Sequence, residues 1–208
     1  MSGTFPTGNI RAVNFKSNQT NLLTTTISGR RQAKTQGAQF FSFTIQTPPL
    51  TTADHKEIMG FMTSQQGPFD AFQIVLPEIS TPAGSITSNT LVVNAPSNLA
   101  AGVKSIPVDG GVASASGYLK KGDVIRFIDT TTGANNVKVY MVTADLDLNS
   151  SGEGTLSIEP GLIDGVNNNS TVETNGVQFT VFQTGSTQEY QFGVDGKAQL
   201  EVDVREAY

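Results

Sequence analysis

The chain of 208 residues is acidic, with 13 Lys and Arg against 18 Asp and Glu and a formal net charge of −5. This balance argues against a nucleic-acid-binding surface, which needs clustered basic side chains, and no apolar run approaches the roughly 20 residues that span a bilayer. Because the chain has no cysteine, disulfides and thiolate metal sites are excluded. The first residues lack the basic and apolar segments of a signal peptide, so we expect the protein to stay in a cytoplasm-like compartment until it assembles.

A hairpin with a basic segment is predicted near the start of the chain. Two β-prone runs, at 11–16 and 21–27, precede a turn that begins at Gly29. Three basic residues follow on or after this turn: Arg30, Arg31 and Lys34. The segment is either a solvated hairpin tip or an interface arm, since forked Arg donors pair well with carboxylates of a neighbouring subunit. The carboxylates that we expect in the second case are Glu201 and Asp203 of the last strand.

The next segment predicts a core strand and one helix. Residues 39–47 alternate in polarity, which indicates a strand with Phe41, Phe43 and Ile45 on its buried face. After Pro48-Pro49 a run of threonines can cap a helix over 52–65, in which the apolar residues recur at helical spacing: Ile58, Phe61 and Met62. We expect one apolar stripe of this helix to pack on a sheet, and a strand to follow at 69–76.

A linker at 77–89, rich in Ser, Thr, Pro and Gly, separates this first module from a second one. Short strands joined by turn residues predict a barrel or sandwich there: 90–94, 104–108, 123–129, 137–144, 154–159, 170–174 and 177–182. A final pair, at 189–194 and 199–205 with a turn at 194–196, returns to the first module. The predicted fold is therefore mainly β, a β-sandwich with one packed α-helix formed by 1–80 and 185–208. A small β-barrel or sandwich, formed by 81–184, is inserted into it.

No constellation for catalysis, cofactor binding or metal binding is predicted. Asp145, Asp147 and Asn149 are spaced like the first ligands of a calcium loop, but Ser150 and Leu156 stand where an EF-hand has Gly and Glu. A hairpin loop with solvated acidic side chains is the better interpretation of that segment. His55, the only histidine, is expected to be solvated on an early helix turn, and no G-x-S-x-G elbow occurs. The protein is therefore not expected to be an enzyme.

Several motifs occur in an order that resembles the distal-tail and baseplate proteins of tailed bacteriophages. The first part of the chain contains G-R-R-Q, Q-F-F-S-F-T, P-P-L-T and Q-Q-G-P-F-D-A-F-Q-I-V-L-P. The second module contains L-K-K-G-D-V-I-R-F, V-Y-M-V-T-A-D and G-E-G-T-L-S-I-E-P-G-L. The similarity extends over nearly all of residues 10–205, and its specificity lies in the order of the motifs.

This resemblance implies a structural virion protein that is assembled in the host cytoplasm and forms a ring, hexameric in relatives, where the tail tube meets the baseplate or tail tip. Residues 29–50, the helix and the C-terminal strands would form the ring, while an outer module would include 119–160. The motifs fit a distal-tail hub, a wedge initiator and a tube-tip adaptor. The implied partners are other copies of the chain and proteins of the tail tube and baseplate, with tail fibres or host glycans at the outer module.

Two other classes of function compete with assembly. A carbohydrate-binding module would use aromatic rings of the inserted domain as a stacking platform, and the candidates are Tyr118, Phe127 and Tyr140. Rings that alternate along strands are more often core residues, which counts against this interpretation. A tail-associated hydrolase is the third class, and the sequence selects no pair of carboxylates for it.

Overall fold

The computed structural model describes residues 3–6, 8, 10–35, 39–129, 136–193 and 196–208. Its elements follow in chain order: β1 (Ala12–Asn18), β2 (Asn21–Thr25), β3 (Arg31–Thr35), β4 (Phe40–Gln46), α1 (Thr52–Ser64), β5 (Phe72–Val75), β6 (Val92–Val93), β7 (Ser105–Asp109), β8 (Val124–Ile128), β9 (Val139–Val142), β10 (Gly154–Glu159), β11 (Thr171–Glu173), β12 (Gln178–Gln183), β13 (Tyr190–Phe192) and β14 (Ala198–Glu206). The protein is mainly β, with a packed helix and an inserted closed barrel, which confirms the predicted fold class.

The large sheet has the strand order β1-β4-β14-β12-β5, with β13 paired to the first residues of β14. Neighbouring strands are antiparallel, and the period-two pattern of the sequence decides which face is buried. Along β14 the apolar residues face the core, as do those of β4: Leu200, Val202, Val204, Phe41, Phe43 and Ile45. The predicted alternation of both strands is confirmed. The core of this sheet also contains Phe179 of β12, whose ring meets that of Phe43 edge-on at 5.7 Å.

Helix α1 covers one part of the large sheet. Thr51 is its N-cap, because the Thr51 hydroxyl accepts a hydrogen bond from the Asp54 amide, and Ile58 and Met62 are buried against the sheet. The prediction that His55 is solvated is wrong. His55 is only 8% exposed, its Nδ1 lies 3.1 Å from the Thr51 carbonyl oxygen, and the Phe192 ring packs edge-on against the imidazole. Strand β13 supplies that ring from far along the chain, so the helix pattern gave no sign of it.

A two-stranded ribbon, hereafter the arm (residues 21–35), extends from one end of the large sheet. The β1–β4 ladder ends with the pair Asn18 and Phe40, and the β2–β3 ladder begins with the pair Asn21 and Thr35. The predicted hairpin is confirmed. Every residue of β2 and β3 is exposed, so the arm is not packed against any other element that the structure describes.

The inserted barrel closes in the order β10-β7-β6-β11-β8-β9. Strands β8 and β9 form a wall between two cores, because their alternating side chains point to opposite sides. Ile125 and Tyr140 point into the barrel, whereas Val124 and Val139 belong to the core of the large sheet. The barrel is therefore packed against the sheet.

One strand was assigned to the wrong module by its position in the chain. The predicted strand at 177–182 corresponds to β12, which pairs with β5 and β14 in the large sheet. The segment that forms the barrel therefore ends before β12, although the sequence placed the end of the insertion at 184. The turn predicted at 194–196 falls partly outside the described residues.

The two connections to the barrel are hydrogen-bonded to each other. The buried Ser80 hydroxyl donates to the Val177 carbonyl oxygen at 2.7 Å and accepts from the Leu76 amide at 3.0 Å. Further along, the Asn89 side-chain oxygen accepts hydrogen bonds from the amides of Thr174 and Asn175, both at 2.8 Å. The predicted linker at 77–89 is thus held in place by the segment that leaves the barrel.

Candidate interaction surface

The arm presents its basic residues along one strand rather than at the turn alone. The turn is closed by the Thr26 hydroxyl, which accepts from the Arg30 amide at 3.1 Å, and by Gly29 with a φ of 78°. Arg31 and Lys34 lie on β3, opposite Thr25 and Leu22. Within the described residues, none of the three basic side chains of the arm forms an ion pair.

The arm also exposes large apolar side chains. Leu22 and Leu23 are each 55% exposed, and Ile27 at the turn is fully exposed. Successive residues of a strand point to opposite faces, so each face of the ribbon carries one of the two leucines. A two-stranded ribbon has no layer beneath it that could cover either face. The exposed apolar area of the arm is therefore available to a second molecule.

The carboxylates predicted as partners of the arm lie side by side on the outer face of β14. Glu201 and Asp203 are both exposed and are two residues apart, as a shared strand face requires. Thr44 donates to Asp203 at 2.5 Å, and Gln46 donates to Glu201 at 3.3 Å. The structure brings these two carboxylates together, while the arm leaves the sheet at the opposite end of β4 from Gln46.

A groove of about 430 Å³ runs beside Glu201. Its lining includes a second carboxylate, Glu189, the amides of Gln191 and Gln199, and one basic residue, Arg11. The surface next to Glu201 is thus polar, concave and close to two negative charges. Such a surface can receive a projecting basic segment.

The aromatic residues considered for sugar stacking are core residues. Tyr118, Phe127 and Tyr140 are all buried inside the barrel, and the rings of Phe127 and Tyr140 meet at 5.5 Å. The Tyr140 hydroxyl accepts a hydrogen bond from the Ile163 amide at 3.1 Å, and burial raises the pKa of this phenol. The expectation that these three rings could form a stacking platform is wrong, because no face of them reaches the surface.

The acidic loop at 145–149 binds the protein's own backbone. Asp145 accepts from the Lys121 amide at 2.9 Å and pairs with the Lys120 ammonium, whereas Asp147 accepts from the Gly117 amide at 2.7 Å. These backbone hydrogen bonds are the main reason why the pKa of each carboxyl is held below its ordinary value. Asn149 accepts from the amides at 151 and 153, which closes the loop.

A buried ion pair joins the barrel to the large sheet, and the sequence did not predict it. Lys138 and Glu206 have fully buried side chains, and their Nζ and Oε2 atoms lie 2.5 Å apart. Burial raises the pKa of Glu206 and lowers that of Lys138, since both charges have left water. Glu206 continues the inward alternation of β14, a signal that could have identified it. Lys138 has no comparable signal, because it precedes β9 and its partners come from other segments.

No protein-family model matches this chain, and no curated protein matches its sequence. Across the described ranges, no three His, Cys, Asp or Glu side chains are grouped in a way that could hold a metal ion. The same residues include no helix with the length and apolar character needed to cross a membrane.

Proposed function

We propose that this protein is a non-enzymatic structural protein that assembles into a ring in the tail of a tailed phage. The observation that carries the proposal is the arm, which exposes apolar side chains on both faces and carries Arg30, Arg31 and Lys34 without ion-pair partners in the described chain. In a single copy, these exposed side chains make no stabilising contact with the rest of the described chain. A neighbouring copy that covers the arm would bury its leucines and pair its cations.

Such a contact can build a ring. The arm of one copy and the surface around Glu201 and Asp203 of the next are different regions of the chain, so the contact is heterologous. Opposite charges on the two surfaces give the contact a direction and disfavour arm-to-arm pairing. Heterologous contacts of this kind close into rings when the rotation between copies allows it. We propose a hexamer, by resemblance to the phage proteins.

The ordered motifs support the place of the ring in the virion. G-R-R-Q lies at the end of the arm turn and the start of β3, and Q-F-F-S-F-T lies on β4 and the residue before it. The motifs of the second module lie on the barrel strands β8, β9 and β10. We therefore propose that the sheet and arm form the ring between the tail tube and the baseplate or tail tip. The barrel then faces outward, toward tail fibres or the host surface.

Reversing the charge of the arm tests the assembly. The variant Arg30→Glu/Arg31→Glu is expected to shift the molar mass in multi-angle light scattering from a ring to a monomer. The control Lys56→Glu/Lys121→Glu makes the same change in net charge at exposed positions of α1 and the barrel, and should still form rings. If the arm variant keeps the mass of the wild type, or if the wild type is a monomer at all concentrations, the proposal is wrong.

Charge reversal on the other surface tests the acceptor. Adding Glu201→Arg/Asp203→Arg to the arm variant restores opposite charges across the contact. Rings are expected to reappear, because the pairing is reversed rather than removed. A quadruple variant that stays monomeric, while remaining folded by circular dichroism, would place the acceptor elsewhere. Antibodies against the barrel should label the tail end of purified virions, and label confined to the capsid would contradict the proposed location.

A further inference from the structure

The buried ammonium of Lys138 lies where three parts of the protein meet. Its Nζ pairs with Glu206 at the end of β14 and lies 3.4 Å from the side-chain oxygen of Gln39. The Nζ atom also lies over the rings of Phe41 and Tyr208, 5.0 and 4.9 Å from their centroids. The cation thus belongs to the barrel by sequence and to the sheet by its contacts.

Glu206 adds two backbone hydrogen bonds to the same cluster. Its Oε1 accepts from the Val139 amide at 2.7 Å, and its Oε2 accepts from the Phe41 amide at 3.1 Å. One carboxylate therefore holds β4, β9 and β14 together. The cluster also includes the root of the arm, which is the end of the β1–β4 ladder at Ser17 and Gln39. Gln39 directly precedes β4 and donates to the Ser17 hydroxyl at 2.8 Å.

An ion pair at this place is expensive, and stability alone does not explain it. Apolar residues of similar volume often replace a buried pair without loss of stability, while removal of one partner is costly. An apolar contact allows two packed surfaces to slide past each other. The contacts of Lys138 and Glu206 do not allow this, since each hydrogen bond requires a particular distance and direction.

An open cleft of about 520 Å³ lies beside the cluster, between the arm and the barrel. Gln39 and Tyr208 line it from the cluster, Thr35 from the arm, and Lys104 and Leu162 from the barrel. The cleft provides space into which the barrel can tilt. Among its lining residues, Gln39 and Tyr208 also contact Lys138, so the cluster borders the cleft.

We propose that Lys138, Glu206, Gln39 and Tyr208 form a conformational lock that holds the barrel at one angle to the root of the arm. Any partner that holds the arm then also sets the direction of the barrel. The lock is a property of the single chain, so it remains if the protein forms no ring.

The absence of cysteine from the chain permits a direct measurement. Spin labels at Asn14→Cys on β1 and Thr155→Cys on β10 report the distance from sheet to barrel by electron–electron double resonance. The wild type is expected to give one narrow distribution. Lys138→Met should broaden it about twofold, because more than one orientation is then populated. Lys104→Met is the control, since it breaks an exposed pair beside the same cleft and should leave the distribution narrow.

Two outcomes would overturn the proposal. A folded Lys138→Met variant with an unchanged narrow distribution shows that packing alone sets the angle. If Lys138→Met does not fold, the double variant Lys138→Met/Glu206→Gln decides the matter, because it removes the ion pair and leaves no buried charge unpaired. Broadening in the double variant supports the lock, and an unchanged distribution rejects it.

Discussion

The acidic side chains of the barrel loops are held by backbone amides. Asp145, Asp147 and Asp123 each accept a hydrogen bond from an amide of the segment 117–121, and Asp123 also accepts from the Ala83 amide at 2.8 Å. The spacing of Asp145, Asp147 and Asn149 resembled a calcium loop because side-chain oxygens recur at alternate positions. The same oxygens serve equally well as acceptors for N–H groups, and that is their role in these loops.

Protonation of these carboxyls should loosen the loop contacts only at low pH. The pKa values of Asp145 and Asp147 are depressed in the folded protein, so their contribution is fully present above the ordinary carboxyl pKa of about 3.9. It is lost as the pH falls through the lower folded pKa. Carboxyl chemical shifts in NMR titrations should therefore reach their midpoints below about pH 3.9 for both residues. A midpoint at or above the ordinary value would contradict the hydrogen bonds.

Single elements follow local sequence rules where one face meets the core. Helix α1 begins at a threonine cap and buries Ile58 and Met62, and the alternation of β4 and β14 selects their buried faces. The arm follows the rules for strands but has no core to meet. Its β-prone residues and turn give it a register, while its side chains stay exposed.

Removing the helix cap should cost a modest amount of stability. Thr51→Ala removes both the bond from the Asp54 amide and the 2.7 Å hydrogen bond to the Asp54 carboxylate. We expect a loss of about 1 kcal/mol in the free energy of unfolding, measured by urea denaturation. Thr52→Ala, one residue later and inside the helix, should change it by less than about 0.5 kcal/mol. Equal effects of the two substitutions would show that the cap contributes nothing.

At the scale of the whole molecule, the barrel is an insertion whose two connections are tied together. Ser80 and Asn89 join the entering segment to the leaving one, and Lys138 joins the barrel to the sheet. The composition of 77–89 is typical of a flexible linker. Its contacts make it part of the packed structure instead, because its polar side chains satisfy buried backbone groups.

Loss of the Ser80 hydrogen bonds should open the segment 77–89 locally, and this opening can be measured. Ser80→Ala leaves the Leu76 amide and the Val177 carbonyl without their side-chain partner, which should cost about 1–3 kcal/mol of stability. Proteolysis within 77–89 should become faster than in the wild type. Ser85→Ala, at an exposed position of the same segment, is the matched control and should resist cleavage as the wild type does. Unchanged cleavage of Ser80→Ala would mean that the backbone bonds alone hold the segment.

The sequence by itself determined the strands, the helix, the hairpin and the buried faces of β4 and β14, because these depend on the local period of apolar residues. Tertiary structure alone decided that β12 belongs to the large sheet, that His55 lies against Phe192, and that Lys138 is buried with Glu206. Each of these depends on a partner distant in the chain, and a local pattern carries no information about which distant segment will be its neighbour. The arm illustrates this difference. Its hairpin forms between residues that are close in the chain, whereas the surface that would cover the arm is distant in the chain.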